Sequence, residues 1–260
     1  MSAACLLAGL FPPVAPHQIW NEKIPWQPIP IWEEPYDFVQ VTINESVCPK
    51  FHREMMKAVN AGNVYTSQYE EILKYLNSKS GMSVDILSDV YEYYDTFNLQ
   101  LANGYKNLPP WVAQYFPKLT ALHSAFMSIF TAATPQQTKL LAGPKLADYA
   151  AVLREKTKSG NSGLKIYMEA VHETTLNGLL PAFGFIKPFA VDTSAMFLIE
   201  MFESPSPGKY ALRLVYYKNS TVDRPEILKM ENCNDPCPLE HILKLMDRQI
   251  PDNWNEECQI

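Results

Sequence analysis

Residues 164–184 constrain this chain more than any other stretch. LKIYMEA (164–170) is a short apolar run of strand length, VHETT breaks it, and LNGLLPAFG has the length and caps of a short helix, with Thr174 or Thr175 as the N-cap. Strand, turn and helix in that order are the signature of an α/β unit, so LKIYMEA is expected as a buried strand of a sheet covered by helices. SAMFLIEMF and KYALRLVYY, joined by SPSPG, then read as a β-hairpin. PLEHILKLMDRQI closes the pattern as an amphipathic helix.

Upstream the rhythm differs. Residues 1–48 hold few helix signals, and WNEKIPWQPIPIWEEP reads as an extended, Pro-punctuated connector leading into a strand at YDFVQVTI. From 49 to about 133 the signals are helical. SQYE at 67–70 forms a capping box, Ser83 and Asp85 start a second helix running to about Leu101, and Pro109-Pro110-Trp111 opens a third. In LAGPKLADYAAVLREKTK, Leu146, Tyr149, Ala150 and Leu153 follow the i, i+3, i+4, i+7 spacing of another amphipathic helix. The simplest organisation is an α/β domain built from 1–48 and 136–260, interrupted by a helical insertion at 49–135.

Composition narrows the function classes. With 260 residues, 47% hydrophobic and 19% charged, the chain can bury a sizeable core and is neither disordered nor fibrous. The net charge of -6 and the lack of any basic run argue against nucleic acid as a partner. Every apolar window is broken before it reaches the ~18 residues a membrane helix requires. MSAACLLAGLFPP has no basic residue ahead of its apolar stretch and is cut by Pro12 and Pro13, so it does not read as a signal peptide. Three of the five cysteines, Cys233, Cys237 and Cys258, crowd near the end of the sequence, which suggests disulfides. A zinc reading of Cys233 and Cys237 suffers from their CxxxC spacing with Pro inside and from the wide separation of the histidines, and no metal is expected. Two sequons, at Asn44 and Asn219, fit a secreted or lumenal protein and, with the cysteines, an oxidising compartment.

Several familiar sites can be struck off. None of the ten glycines forms a G-x-G, and G-x-S-x-G is absent, so a dinucleotide site, a P-loop and a serine-hydrolase elbow are disfavoured and no cofactor is expected. His172-Glu173 is better placed: it lies between the expected strand and the following helix. Ligands of open α/β sheets bind beyond the carboxyl ends of strands, and helix N-termini attract anions such as phosphate. A histidine and a carboxylic acid there could bind phosphate and hand a proton to a leaving group. His123, on an apolar helix, reads as a satisfied core residue, whereas His17, His52 and His241 read as surface residues. The aromatic run YEYYDTF reads as packing.

LLAGPKL, KIYMEAVHETTLNGLLPAFG, YALRLVYYKN and CNDPCPLEHILKLMDRQIPDNWNEEC, with LAGLFPP, IWN and PWQPIPI near the start, together resemble histidine acid phosphatases of the prostatic, lysosomal and insect-venom type. The resemblance runs from Met1 to Cys258 in the family's order. It implies a phosphoglycerate-mutase-like α/β three-layer sandwich with a helical cap, and hydrolysis of phosphate monoesters at acid pH through a phosphohistidine. The family's His-Asp proton-donor pair falls on His172 and Glu173, with Glu in place of Asp. It also implies disulfides Cys48–Cys258 and Cys233–Cys237, which leaves Cys5 as a thiol expected to be buried. Small phosphate monoesters or phosphoproteins are the implied partners, a secreted or lysosomal location the implied setting, and dimers occur in the family.

The departure lies at the other half of the site. The family's nucleophile sits in an Arg-His-Gly-x-Arg motif, and a further phosphate-binding Arg precedes the segment resembling MSAACLLAGLFPP. The arginines here, at 53, 154, 213, 224 and 248, include no Arg-His pair. The chain is therefore expected to lack the nucleophile and clamp, together with a first strand of the sheet, and to be inactive alone. A non-catalytic binding protein on the same scaffold is the alternative. An inositol-polyphosphate or phytate phosphatase, suggested by Glu for Asp, fits the tail less well.

Overall fold

The computed structural model describes residues 1–33, 41–42, 44–61, 67–81, 87–159, 163–185, 190–204, 208–230 and 232–259. Its sheet is built around the expected hairpin. β1 (Met196–Glu203) and β2 (Tyr210–Tyr217) are antiparallel, with Met196 opposite Tyr217 and Glu203 opposite Tyr210. Ser204 donates its amide to the carbonyl of Lys209 at 2.7 Å, and Gly208 takes φ +73°, a conformation that side chains resist; residues 205–207 of the predicted turn lie outside the described residues. β3 (Glu226–Leu228) and β4 (Cys237–Pro238) pair with opposite ends of β2, so that Leu214 faces Leu228 and Leu212 faces Cys237.

Three helices cover this sheet. α6 (Pro135–Ser159), α7 (Glu173–Ala182) and α8 (Leu239–Gln249) pack with β2 into one apolar core that includes Leu146, Leu153, Leu179, Phe183, Leu212, Leu214, Ile242 and Met246. α6 and the turn after α8 approach so closely that Gly143 has no room for a side chain. A Cβ there would lie 2.4 Å from Cδ of Pro251 and 2.6 Å from the carbonyl oxygen of Gln249. Further helices are α1 (Ser2–Leu10), α2 (Pro49–Asn60), α3 (Ser67–Ser80), α4 (Leu87–Ala102), α5 (Pro110–Ala132) and α9 (Trp254–Cys258). Ile72, Leu76, Val90, Tyr94, Leu119 and Leu122 make a second core between α3, α4 and α5. A third core joins Val41, Phe51, Leu140 and Leu141 around the Cys48–Cys258 disulfide. The result is a mixed structure of helices and an antiparallel sheet. Among the described residues, no helix is long and apolar enough to cross a membrane.

Several expectations need correction. The N-terminal segment starts with α1, an apolar helix with no buried residue, although few helix signals are legible there. Most of the strand expected at YDFVQVTI lies outside the described residues, and the two that are described, Val41 and Thr42, are helical. The helix after LKIYMEA begins at Glu173 with His172 as its N-cap, so VHETT is not a turn and neither Thr174 nor Thr175 caps it. LKIYMEA itself is neither a strand nor buried. It runs across the surface without regular secondary structure, with Leu164 and Ile166 each 56% exposed and Tyr167, Met168 and Val171 also exposed. The physical reason is pairing: a strand exists only where a neighbour shares its ladder, and among the described residues no backbone hydrogen bond reaches 166–171.

Candidate functional site

The site is organised by the junction of this exposed segment with α7. Residues 174–180 are buried, which fixes the first turns of α7 against the rest of the molecule. Asn177 bridges the layers: its side-chain amide donates to the carbonyl of Glu173 at 3.0 Å, and its own carbonyl accepts from the hydroxyl of Thr131 on α5 at 3.2 Å. Such a buried turn, tied to α5 through Asn177, holds the residues just before it in place. His172 is exposed at the N-cap, and Glu173, half-buried, follows it into the helix. The two sequence candidates are therefore adjacent at a helix N-terminus, where peptide dipoles favour negative charge.

Glu173 does not stand alone. One of its oxygens, Oε1, accepts a hydrogen bond of 2.7 Å from the hydroxyl of Tyr91 on α4. The Tyr91 ring lies 5.3 Å from the ring of His123 and 6.1 Å from that of Phe126, both on α5. Tyr94 stacks on His123 at 4.0 Å. Burial first, and then the hydrogen bond and charge of Glu173, push the ionisation of Tyr91 well above the ordinary tyrosine range. Burial, with the nearby carboxylates of Asp192 and Asp95, pushes Tyr94 up to about 12. Asp95 is raised by its own burial and by the charges of Glu173 and Glu92. His123 is 2% exposed, and burial lowers its pKa to about 4 against the opposing pull of Glu173. It is a core histidine as expected, yet it is not satisfied: its Nδ1 is buried without a hydrogen-bond partner.

Close in sequence, Glu169 gathers three donors. Lys145 on α6, only 2% exposed, donates to Oε1 at 2.9 Å, Tyr167 donates to the same oxygen at 3.1 Å, and Tyr149 donates to Oε2. This cluster anchors the exposed segment to α6 immediately before the His172-Glu173 junction. Nothing in the one-dimensional pattern marks Lys145 or Glu169. Nor does the aromatic run mark Tyr91 as a partner of Glu173, although the i, i+3, i+4 spacing puts Tyr91, Tyr94 and Asp95 on one helical face.

The cysteines pair as Cys48 with Cys258 and Cys233 with Cys237, the pairing that the resemblance implies. Cys233, Cys237 and the exposed His241 converge closely enough to resemble a metal site, but the disulfide occupies both thiols. Cys5 is exposed, not buried, because α1 buries nothing. His17 and His241 are exposed as expected, whereas His52 is half-buried with Nε2 3.1 Å from the carbonyl of Val41. At the sequons, Asn44 is exposed, while Asn219 is half-buried and donates its amide to Asp192 at 3.0 Å. Two of the arginines are engaged elsewhere, Arg154 with Asp247 at 2.6 Å and Arg213 with Asp235 at 3.1 Å.

The chain matches no protein-family profile. Its similarity to individual proteins is extensive. It is 30% identical over 268 residues to the lysosomal acid phosphatase of Xenopus laevis, covering 100% of this chain and 60% of that protein. It is 26% identical to the human lysosomal acid phosphatase, covering 100% of this chain and 62% of that protein. Against the human prostatic acid phosphatase it is 27% identical, covering 99% of this chain and 67% of that protein. The chain thus spans 60% of the length of the Xenopus laevis relative. Similarity at 26–30% identity along the full chain, to proteins named lysosomal and prostatic acid phosphatase, supports an acid phosphatase family for this chain.

Proposed function

We propose that this chain carries the proton-donor half of an acid phosphatase site, with Glu173 as the acid that protonates the leaving oxygen of a phosphate monoester and His172 as a phosphate ligand beside it. The observation that carries this reading is the placement of the pair: a histidine and a hydrogen-bonded carboxyl side by side at the N-terminus of a buried helix. An anion is favoured there, and a positioned carboxylic acid contributes about 10²- to 10⁴-fold in such reactions. The nucleophile and its arginine clamp belong, on this reading, to sequence beyond the 260 residues. The exposed segment at 166–171 is where that half would add a strand, since its apolar side chains and open backbone groups have the character of an unfinished sheet.

Helices α2 to α5 then form the cap over the site, and 1–48 with 136–260 the α/β domain of a phosphoglycerate-mutase-like sandwich. A secreted or lysosomal location fits the two disulfides. Asn44 is the better glycosylation acceptor, because the amide of Asn219 is already committed to Asp192. A homodimer is compatible with this assignment.

The decisive experiment compares hydrolysis of an aryl phosphate at pH 5 by the purified 260-residue chain and by a longer native polypeptide from the source. The expected outcome is no turnover by the chain and robust turnover by the longer form, reduced at least about 100-fold by Glu173→Gln. Sustained turnover by the chain alone would overturn the half-site reading. An inactive native protein whose mature sequence coincides with the chain would point instead to a non-catalytic binding protein.

A further inference from the structure

A glutamate side chain turns about three torsions, so a carboxyl that must meet a ligand needs something to fix which oxygen faces it. On Glu173 the two oxygens are treated differently. Oε1 accepts from Tyr91 at 2.7 Å, whereas Oε2 has no hydrogen bond among the described residues. The donor is itself firmly held: Tyr91 sits on α4, flanked by the rings of His123 and Phe126 from α5. His123 is in turn stacked on Tyr94, one turn further along α4. The hydroxyl of Tyr91 has one hydrogen to give and gives it to Glu173, reaching from one helical layer to the N-terminus of α7.

We propose that Tyr91 is a positioning residue for Glu173: by donating to Oε1 it locks the carboxyl and leaves Oε2 as the oxygen that carries and delivers the proton. Two physical consequences follow. While Tyr91 donates to Oε1 the proton of the carboxyl belongs on Oε2; the reverse arrangement would turn the hydroxyl round and leave its hydrogen without the acceptor it now has, so protonation is directed to Oε2. The helical layer of α4 and α5 is thereby coupled to the site through one hydrogen bond, and any shift of α4 re-aims the acid. The groups facing this bond are Asp95 and Glu92 on α4, His123 on α5 and Glu173 on α7. The delivery of the proton rests on the role proposed for Glu173; the lock itself does not.

The test uses the 260-residue chain with ¹³Cζ-labelled tyrosine, without ligand or turnover. In the unaltered protein the Tyr91 resonance reports the hydrogen bond to the Glu173 carboxyl, and it is expected to move when Glu173→Gln replaces that acceptor with a neutral amide. Asp95→Asn, which removes a neighbouring charge and not the acceptor, should leave it in place. A second arm, a crystal structure of Tyr91→Phe, keeps the ring packing and removes only the hydroxyl. The expected result is a Glu173 side chain spread over more than one rotamer. A Tyr91 resonance that does not move in Glu173→Gln, one that moves as far in Asp95→Asn, or a single unchanged Glu173 rotamer in Tyr91→Phe would each overturn the proposal. Because none of these readouts needs catalysis, a failure of Glu173 as the acid would show only in the turnover assay and leave these signals intact.

Discussion

Removing the carboxylate of Glu169 is the sharpest perturbation of the frame behind the site. Its partner Lys145 is 2% exposed and 2.9 Å away, and Tyr149 and Tyr167 also donate to Glu169. Taking one member from a buried ion pair costs about 3–5 kcal/mol, because the remaining charge stays out of water without its counter-charge. Lys145 keeps a further interaction and the Glu169 side chain is 14% exposed, which places Glu169→Ala at the lower end, about 3 kcal/mol. Glu169→Gln keeps an acceptor for the tyrosines and loses only the charge, so a smaller loss is expected. Urea titration followed by tryptophan fluorescence, with disulfides intact, reads the difference as a shift of midpoint at constant slope. The double variant Lys145→Met/Glu169→Gln supplies the control: with both charges gone and an acceptor kept for the tyrosines it should return to within about 1 kcal/mol of the starting protein. A Glu169→Ala variant as stable as the parent, or a double variant no better than the worse single, would refute the idea that this pair is a coupled buried unit.

Three further outcomes are expected. The pKa of buried His123 falls from the ordinary 6.5 to about 4, so the unfolded chain binds its proton first as pH drops. Stability is then full above about 6.5 and lost on the way down to 4, by about 2 kcal/mol at pH 5. His123→Phe, which keeps the stack on Tyr94, should flatten that part of a thermal-melting profile, and an unchanged slope between pH 6.5 and 5 would contradict it. Gly143→Ala drives a methyl into Pro251 and the Gln249 carbonyl, so a loss of about 1–3 kcal/mol is expected in chemical denaturation, against none for an exposed control such as Gly9→Ala. Removing the Cys48–Cys258 bridge, which closes a loop of sequence separation 210, should cost up to roughly 5 kcal/mol from denatured-state entropy alone. A Cys48→Ser/Cys258→Ser protein melting within a few degrees of the parent would argue against that model.

Legibility in the sequence followed how local the determining interaction was. The hairpin could be read because strands 196–203 and 210–217 are neighbours in sequence and provide each other's ladder. α8 could be read because its apolar side, Leu239, Ile242 and Met246, repeats with helical spacing. LKIYMEA has an equally strong composition, but a strand's existence depends on a partner that no local pattern names, and here it remains irregular and exposed. At the site, His172-Glu173 was legible from its place between an apolar run and a helix. Tyr91 was not, since its contact spans 82 residues and a tyrosine in an aromatic run reads as packing. Lys145 failed for the opposite reason: lysine is a residue rarely found in a core, and its burial depends on a counter-charge, Glu169, that lies 24 residues away.

The bridge from Cys48 to Cys258 has a consequence for how this molecule comes apart. It turns nearly the whole chain into a covalent ring, with only the first 47 residues and the last two outside it. A protease that cuts once at an exposed site within that ring opens a circle and releases no fragment. The nicked protein keeps its mass under oxidising conditions, keeps α7 and its Glu173 tethered to the helices that face them, and separates into two pieces only on reduction. Under oxidising conditions, that wiring lets exposed loops be cut without dispersing the helices it joins.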